Sequence, residues 1–341
     1  MNTFLKIPTN LIHGTIKDES RYRHFSPFSV VGIAKNSLQL YLFNSMELKD
    51  GDIITVKILG MVLSAEVGVE SNDLLIVKVE FIKRLRWEIS HILIQHTQFT
   101  PKDLTDLGLS CRKIKSYLDY GLVKTEEEYQ QVLKLRRQTY SQVNKMEADR
   151  PLNKLKYFFD EYSDILIVRH GNTIIGTAAI IYANGKDKLF EVQKLMMNQN
   201  DTLEYNDSMI EVAALCILKE YRRTDILHGV FENIFFQMME NKKTHIIASS
   251  DSTLAKTYKM IGFRNTGSYF IQPKYNDLQM QVLIVNKNAA LKAQGVGFLY
   301  WWPIWGQVVT HMKSQSIVKI GHYDRIKLLA RELAYKFVKT L

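Results

Sequence analysis

Between residues 25 and 82, apolar and polar positions alternate in short runs: FSVVGIA, LQLYLF, DIITVKIL, VLSAEVGV and LLIVKVEFI. They are separated by Asn-Ser, Lys-Asp-Gly-Asp and Glu-Ser-Asn-Asp. A period of two is the signature of a strand with one buried face, and the separators are turn formers. Short strands at this spacing predict a small antiparallel barrel over residues 1–85. From RLRWEISHILIQH the period lengthens to that of a helix, and residues 86–124 read as a helical connector. A new domain is expected to begin where Thr125 and Glu128 form a capping box for TEEEYQQVLKLRRQTYSQV.

Residues 125–286 mix the two periods. FFDEYSDILIV (158–168), the Gly171-Asn172 turn and TIIGTAAIIY (173–182) predict a hairpin. LFEVQKL, around Glu191, reads as strand-like. An apolar strand from Ile210 to Ile217 follows, then a turn carrying Lys219, Arg222, Arg223 and Thr224, then a helix from Ile226 to Met239. Basic side chains and free amides at a helix start suit a pyrophosphate. HIIAS (245–249) reads as a short buried strand, and a Ser-Ser-Asp-Ser turn caps a second helix that bears Tyr258 before Gly262 and Phe263. The order predicts an α+β fold with a mixed central sheet and flanking helices, following the barrel.

The tail, residues 287–341, has a different composition. GVGFLYWWPIWG (295–306) holds three of the four tryptophans, and it either forms an interface or packs on the core, lining a tunnel or capping the sheet. YDRIKLLARELAYKFVK (323–339) places Ile326, Leu329, Leu333 and Phe337 on one stripe, the mark of an amphipathic helix. Such a helix packs on its own domain or lies peripherally on a membrane.

Charge and cysteine content narrow the classes. The net charge is +10, and from Lys287 onward nine Lys or Arg stand against Asp324 and Glu332 alone. This suits an acidic carrier protein or an anionic lipid surface, and no zinc-finger or helix-turn-helix spacing points to nucleic acid. Cys111 and Cys216 are the only cysteines, so neither a disulfide framework nor a metal cluster is expected, and a cytoplasmic protein is. The start MNTFLKIPTNLIHG lacks a signal-peptide pattern.

The strand, basic turn, helix and Tyr-x-x-x-Gly-Phe order resembles the GNAT superfamily of N-acyltransferases. Arg136-x-x-x-Tyr140, Asp160, Ile-Gly-Thr (175–177) and Glu211 narrow the resemblance to acyl-homoserine lactone synthases and N-acyl amino acid synthases. LKDGDIITVKI in the barrel resembles a PilZ domain. The cyclic di-GMP motifs of that family are not matched, since Arg21-Tyr22-Arg23 has the wrong spacing and AKNSLQLY lacks the glycine. A docking or regulatory barrel that does not bind cyclic di-GMP is therefore expected.

The resemblance implies transfer of a fatty acyl group from acyl carrier protein, or from acyl-CoA, to the amine of an amino acid or related acceptor, with no permanently bound cofactor. It places Arg136 and Tyr140 at the lip of the site, and Asp160 and Ser163 at the acceptor. Lys219, Arg222, Arg223 and Thr224 fall on the donor phosphate, and Glu211 on the catalytic strand. Physical chemistry adds that a buried strand carboxylate can take the acceptor's proton, with Glu191 as a second candidate base. Tyr258 would protonate the leaving thiolate, and a main-chain N–H after Glu211 would face the oxyanion. The chain departs from the pattern at Ser163, Ala179 and Ala214, where the families usually carry an acidic residue and two arginines. A different acceptor, an inactive ligand-sensing module and an acetyl-CoA-dependent acetyltransferase stay open as alternatives.

Overall fold

The computed structural model describes residues 4–17, 25–71, 73–143, 147–184, 187–196, 203–272, 277–314 and 321–340. Its contacts divide the chain into two compact units, residues 1–117 and 118–341.

In the first unit, β1 (Leu5–Lys6), β2 (His13–Lys17), β3 (Ser26–Ala34), β4 (Ser37–Leu42), β5 (Ile53–Ile58), β6 (Met61–Val69) and β7 (Leu74–Val79) are all antiparallel. Pairing runs β3-β2-β5-β6-β7-β4 and returns to β3, so six strands close into a barrel and β1 extends β3. Closure leaves few open edges. The alternation seen in the sequence is the physical cause. In β5, Ile54, Val56 and Ile58 point inward while Ile53 and Lys57 are exposed. Helix α1 (Lys83–Gln95) buries Leu85, Ile89 and Leu93. Helix α2 (Pro101–Asp106) starts with a true capping box: the Asp103 amide donates to Thr100 Oγ1 at 3.2 Å, and the Thr100 amide to Asp103 Oδ2 at 2.9 Å. The segment Arg21–Arg23 lies outside the described residues.

The second unit is built on β8 (Asp119–Leu122), β9 (Ser163–His170), β10 (Thr173–Ile181), β11 (Met209–Ile217), β12 (His245–Ser250), β13 (Arg264–Gln272) and β14 (Leu278–Asn286). They form one mixed sheet in the order β13-β14-β12-β11-β10-β9-β8. Only the β11–β12 pairing among these is parallel, and α5 (Ile226–Glu240) makes the crossover that a parallel pair requires. Helix α3 (Glu126–Ser141) precedes the hairpin, α4 (Glu191–Met196) precedes β11, and α6 (Ser252–Met260) joins β12 to β13. The Thr125 hydroxyl accepts from the Glu128 amide, and the Glu128 carboxylate accepts from the Lys124 amide at 2.7 Å.

One expected element is corrected. LFEVQKL is not a strand: Glu191 begins α4. A run of seven with apolar residues at both ends fits either period, and helix forms here because the Val192 amide finds an acceptor in Glu211.

Helix α5 packs closely on the sheet at Gly229, where an added Cβ would lie 2.2 Å from Tyr120 Oη. Gly229→Ala is therefore expected to cost about 1–3 kcal/mol through overpacking. Urea unfolding checks this, and an unchanged midpoint would mean the ring moves away freely.

The tail adds α7 (Lys287–Leu291), α8 (Phe298–Trp301), a π-helical turn (Trp302–Gly306), α9 (Gln307–Ser314) and α10 (His322–Thr340). Trp301 and Trp305 are buried. Trp301 Nε1 donates to the Ala290 carbonyl at 2.7 Å, and Trp305 stacks on Phe235 of α5 with centroids 3.7 Å apart. Trp305 thus covers α5 and Trp301 is tied to α7, so neither forms an exposed interface.

Candidate active site

Glu211 lies in the middle of the sheet, in a row fixed by strand register. Ser163 pairs with Ile181, Ile181 with Glu211, Glu211 with Ile247, and Ile247 with Ile284. Paired positions share a face of the sheet, and this face carries an apolar cluster including Tyr140, Tyr157, Phe159, Phe190, Val192 and Phe270. Glu211 is fully buried there. Burial, then the neighbouring Glu191 carboxylate, pushes its pKa well above the ordinary range, and the amides of Val192 and Glu191 oppose that rise. The Val192 amide donates to both carboxylate oxygens, at 3.3 and 3.4 Å. Gln272 Nε2 donates to Glu191 Oε1 at 3.3 Å. The sheet thus brings together the two carboxylates that the sequence singles out as bases, and they titrate as a pair.

Just past Glu211 the strand changes character. Ala179 faces Ala213 and Thr177 faces Cys216, so β11 carries one extra residue, and Ala214 takes a φ of 50°. This is a β-bulge, which increases twist and releases main-chain groups from the ladder. On the other side, pairing with β12 runs only from Met209↔His245 to Val212↔Ala248, although β11 continues to Ile217. The two parallel strands part after Val212. Main-chain groups of residues 213–217 on that side are therefore outside the β11–β12 ladder, in a stretch that begins two residues after Glu211. Ala179 and Ala214, at the positions where the resemblance calls for arginines, flank the bulge.

The turn after β11 holds Lys219 and Arg223 exposed and Arg222 half-buried. Arg223 has a φ of 65°, and Arg222 Nε donates to the Ile217 carbonyl at 3.0 Å. Thr224 Oγ1 donates to the Tyr221 carbonyl at 2.8 Å and accepts from the Ile226 amide at 3.4 Å. Two acidic residues of KEYRRTD, not among the expected site residues, also belong to this turn. Asp225 is the N-cap of α5, and Glu220 Oε2 is a buried oxygen without a hydrogen-bond partner. Two carboxylates therefore share this turn with three cations, which weakens it as an anion site.

Tyr258, on α6, is buried with its ring edge-on to Phe231 and Phe263, at 5.3 and 5.1 Å. Burial, then Asp251, raises its pKa, so the phenol keeps its proton at neutral pH. It packs against α5, on the face opposite the Glu211 side chain. The two groups can meet one substrate only across the gap between β11 and β12.

Arg136 and Tyr140 are buried rather than at a rim. Arg136 Nη1 and Nη2 grip Asp160 at 2.6 and 2.9 Å, and Asp160 also accepts from Tyr129 Oη at 2.8 Å and the Tyr157 amide at 2.9 Å. Asp160 is thus saturated by protein donors, a pairing that one sequence could not reveal across 24 positions. Ser163 donates to the Phe159 carbonyl at 2.6 Å and lines a recess of about 390 Å³ with Glu126, Tyr129, Lys156, Glu161 and Asp164. Among the described residues no cluster of His, Cys, Asp and Glu could hold a metal ion.

Against known proteins, no curated sequence matches this chain. Among solved structures, the N-acyl amino acid synthase FeeM from uncultured soil microbes is 11% identical, covering 52% of this chain and 94% of its own, with a TM-score of 0.42. The acyl-homoserine lactone synthase LasI is 10% identical over 55% of this chain and 94% of its own, with a TM-score of 0.40. The CoA-dependent acyl-homoserine lactone synthase MesI is 14% identical over 49% and 88%, with a TM-score of 0.38. A family model described as an acetyltransferase (GNAT) domain matches residues 135–232, from α3 through Glu211 into α5, and the second unit that contains them has a GNAT-like α+β fold.

Proposed function

We propose that the second unit is an N-acyltransferase that moves a fatty acyl group from a thioester donor, acyl carrier protein or acyl-CoA, to the amine of an amino acid or related acceptor. The observation that carries this reading is Glu211: a fully buried carboxylate with raised proton affinity, paired with Glu191, at the point where two parallel strands part. An ammonium acceptor must lose a proton before it attacks a thioester, and a carboxylate whose proton affinity is raised by burial is a stronger base for that task than an ordinary one. The carbonyl of the donor would lie in the gap, where an amide of residues 213–217 meets the oxyanion. The apolar cluster beside Glu211 suits an acyl chain. The recess at Ser163 suits an amine, since Glu126, Glu161 and Asp164 outnumber Lys124 and Lys156 there.

In this reading residues 125–286 form the catalytic domain and residues 287–341 an extension. Lys219, Arg222, Arg223 and Thr224 meet the donor phosphate, and Tyr258 hands its proton to the departing thiolate. Tyr258→Phe is expected to lower kcat by about 10²-fold while leaving KM for both substrates unchanged. Steady-state kinetics checks it, and an unchanged kcat would remove Tyr258 from the chemistry. The barrel of the first unit acts as a PilZ-like docking or regulatory module without cyclic di-GMP binding. Low-micromolar binding by calorimetry would contradict that. The reaction belongs in the cytoplasm, and among the described residues no helix is long and apolar enough to cross a membrane.

A second reading, an acetyl-CoA-dependent acetyltransferase, is favoured by the description of the matching family. Thiol release measured with palmitoyl acyl carrier protein, palmitoyl-CoA and acetyl-CoA in competition separates the two. Preference for a long-chain donor supports the first reading, and turnover of acetyl-CoA alone supports the second.

A further inference from the structure

We propose that α10 docks this protein on an anionic lipid surface. The helix holds the domain with a mixed face, not with its apolar stripe: Leu328 is buried and Lys327, Arg331, Ala334 and Tyr335 are half-buried. Leu328 is buried at 6% exposure, Arg331 Nη1 and Nη2 donate to the Val296 and Ala293 carbonyls, both at 3.4 Å, and Lys327 Nζ donates to the Lys292 carbonyl at 3.3 Å. The apolar stripe points away from the domain. Ile326 is 69% exposed, Leu329 56% and Leu333 65%, and Phe337 at 67% continues the row. Spacings of three and four put these residues on one side of a helix, over about 17 Å of its length.

A helix packed for stability alone would turn this stripe inward, because each large apolar side chain gains about 1.5–3 kcal/mol from full burial. Here polar bonds to the carbonyls at residues 292–296 fix its rotation with the stripe outward.

Charge identifies the occupant. Within His322–Thr340, Arg325, Lys327, Arg331, Lys336 and Lys339 stand against Asp324 and Glu332. Arg325 and Lys336 are exposed beside the stripe, and Lys336 pairs with Glu332 at 2.6 Å. An apolar row flanked by cations is the arrangement of a helix lying in the interface plane of a bilayer with acidic headgroups. The area argues against a second copy of the chain. Four side chains offer a patch on the order of a few hundred Å², short of the roughly 800 Å² that each partner gives to a stable interface. An acidic protein would need an apolar groove matched to the stripe as well as its charges, whereas a bilayer of acidic lipids offers both along its whole surface.

The test is flotation of the full chain with phosphatidylcholine vesicles, with and without phosphatidylglycerol. The double variant Leu329→Glu/Leu333→Glu serves as control, because both positions are exposed and substitution leaves the fold intact, as circular dichroism verifies. The wild-type protein should float with the phosphatidylglycerol vesicles, and the variant's partitioning should fall by roughly a hundredfold, the scale of two lost leucine contacts and two repelled charges. Arg325→Glu/Lys336→Glu should weaken flotation and flatten its dependence on phosphatidylglycerol. Three results overturn the proposal: wild-type protein that stays unbound, a leucine variant that floats equally well, and light scattering that shows a wild-type dimer split by that variant. Flotation requires no turnover, so its failure leaves the acyltransferase reading standing.

Discussion

Glu211→Gln is expected to lower kcat for acyl transfer by about 10²–10⁴-fold, the usual weight of a positioned general base, without loss of folding. Its pH behaviour is more diagnostic than the loss itself. In the wild-type protein, burial first and Glu191 second hold the carboxylate pKa well above its ordinary value. Activity should therefore rise with pH through an apparent pKa that belongs to the Glu191–Glu211 pair and lies above the ordinary carboxylate range. Glu191→Gln removes the like charge and should move that limb toward lower pH. Stability runs the opposite way. Folded Glu211 binds its proton more tightly than in the unfolded chain, so the native state carries the extra proton between the ordinary and the raised pKa. Stability then falls as pH rises through that window, by about 1.4 kcal/mol for each pH unit the window spans, and levels off above it. Glu211→Gln should lack this fall and melt at or above the wild-type temperature in alkaline buffer. A variant that is inactive but keeps the wild-type stability profile would mean Glu211 is not the group that titrates.

The second large effect is on folding. Asp160→Ala should destabilise the second unit by about 3–5 kcal/mol, because it strands the Arg136 guanidinium in a fully buried position. Arg136→Ala should do comparable damage by leaving Asp160 with fewer donors. Replacing both with apolar residues, Arg136→Met with Asp160→Leu, should recover most of the loss, since a buried ion pair and a packed apolar pair are often close in energy. Thermal melts of the three variants decide the matter. If Asp160 instead served the acceptor amine, Asp160→Asn would raise the acceptor KM with little change in melting temperature. The bidentate pairing and the bonds from Tyr129 and the Tyr157 amide predict the reverse.

The strands and helices most visible in the sequence are those whose period is long and unbroken. Met209–Ile217 and Ile226–Glu240 fall within a residue of the pattern read from apolar positions, because local sequence and tertiary burial agree there. β1, β2 and β8 leave no such pattern; they are two to five residues long and exist through pairing with distant strands. Nor do β13 and β14 stand out, since the first of them, RNTGSYFIQ, is dense in turn-forming residues and alternates cleanly only after Gly267. The site is partly legible. Residue type marks Glu211 and Glu191, but their mutual approach depends on Glu191 opening α4 rather than lying in a strand. Arg136 and Asp160 are visible as charges, and their burial against one another is not, because it is set by how α3 meets the loop before β9. The stripe on α10 is readable from spacing alone, whereas its outward rotation comes from carbonyls at residues 292–296 that no periodicity reports.

The most direct test is mass spectrometry of the purified protein incubated with palmitoyl acyl carrier protein or palmitoyl-CoA and the twenty amino acids, beside the Glu211→Gln variant. The wild-type chain should make an N-palmitoyl amino acid, reduced by roughly a hundredfold or more in the variant, with the mass naming the acceptor. No acylated product with either donor, or equal product from both proteins, would contradict the proposed function.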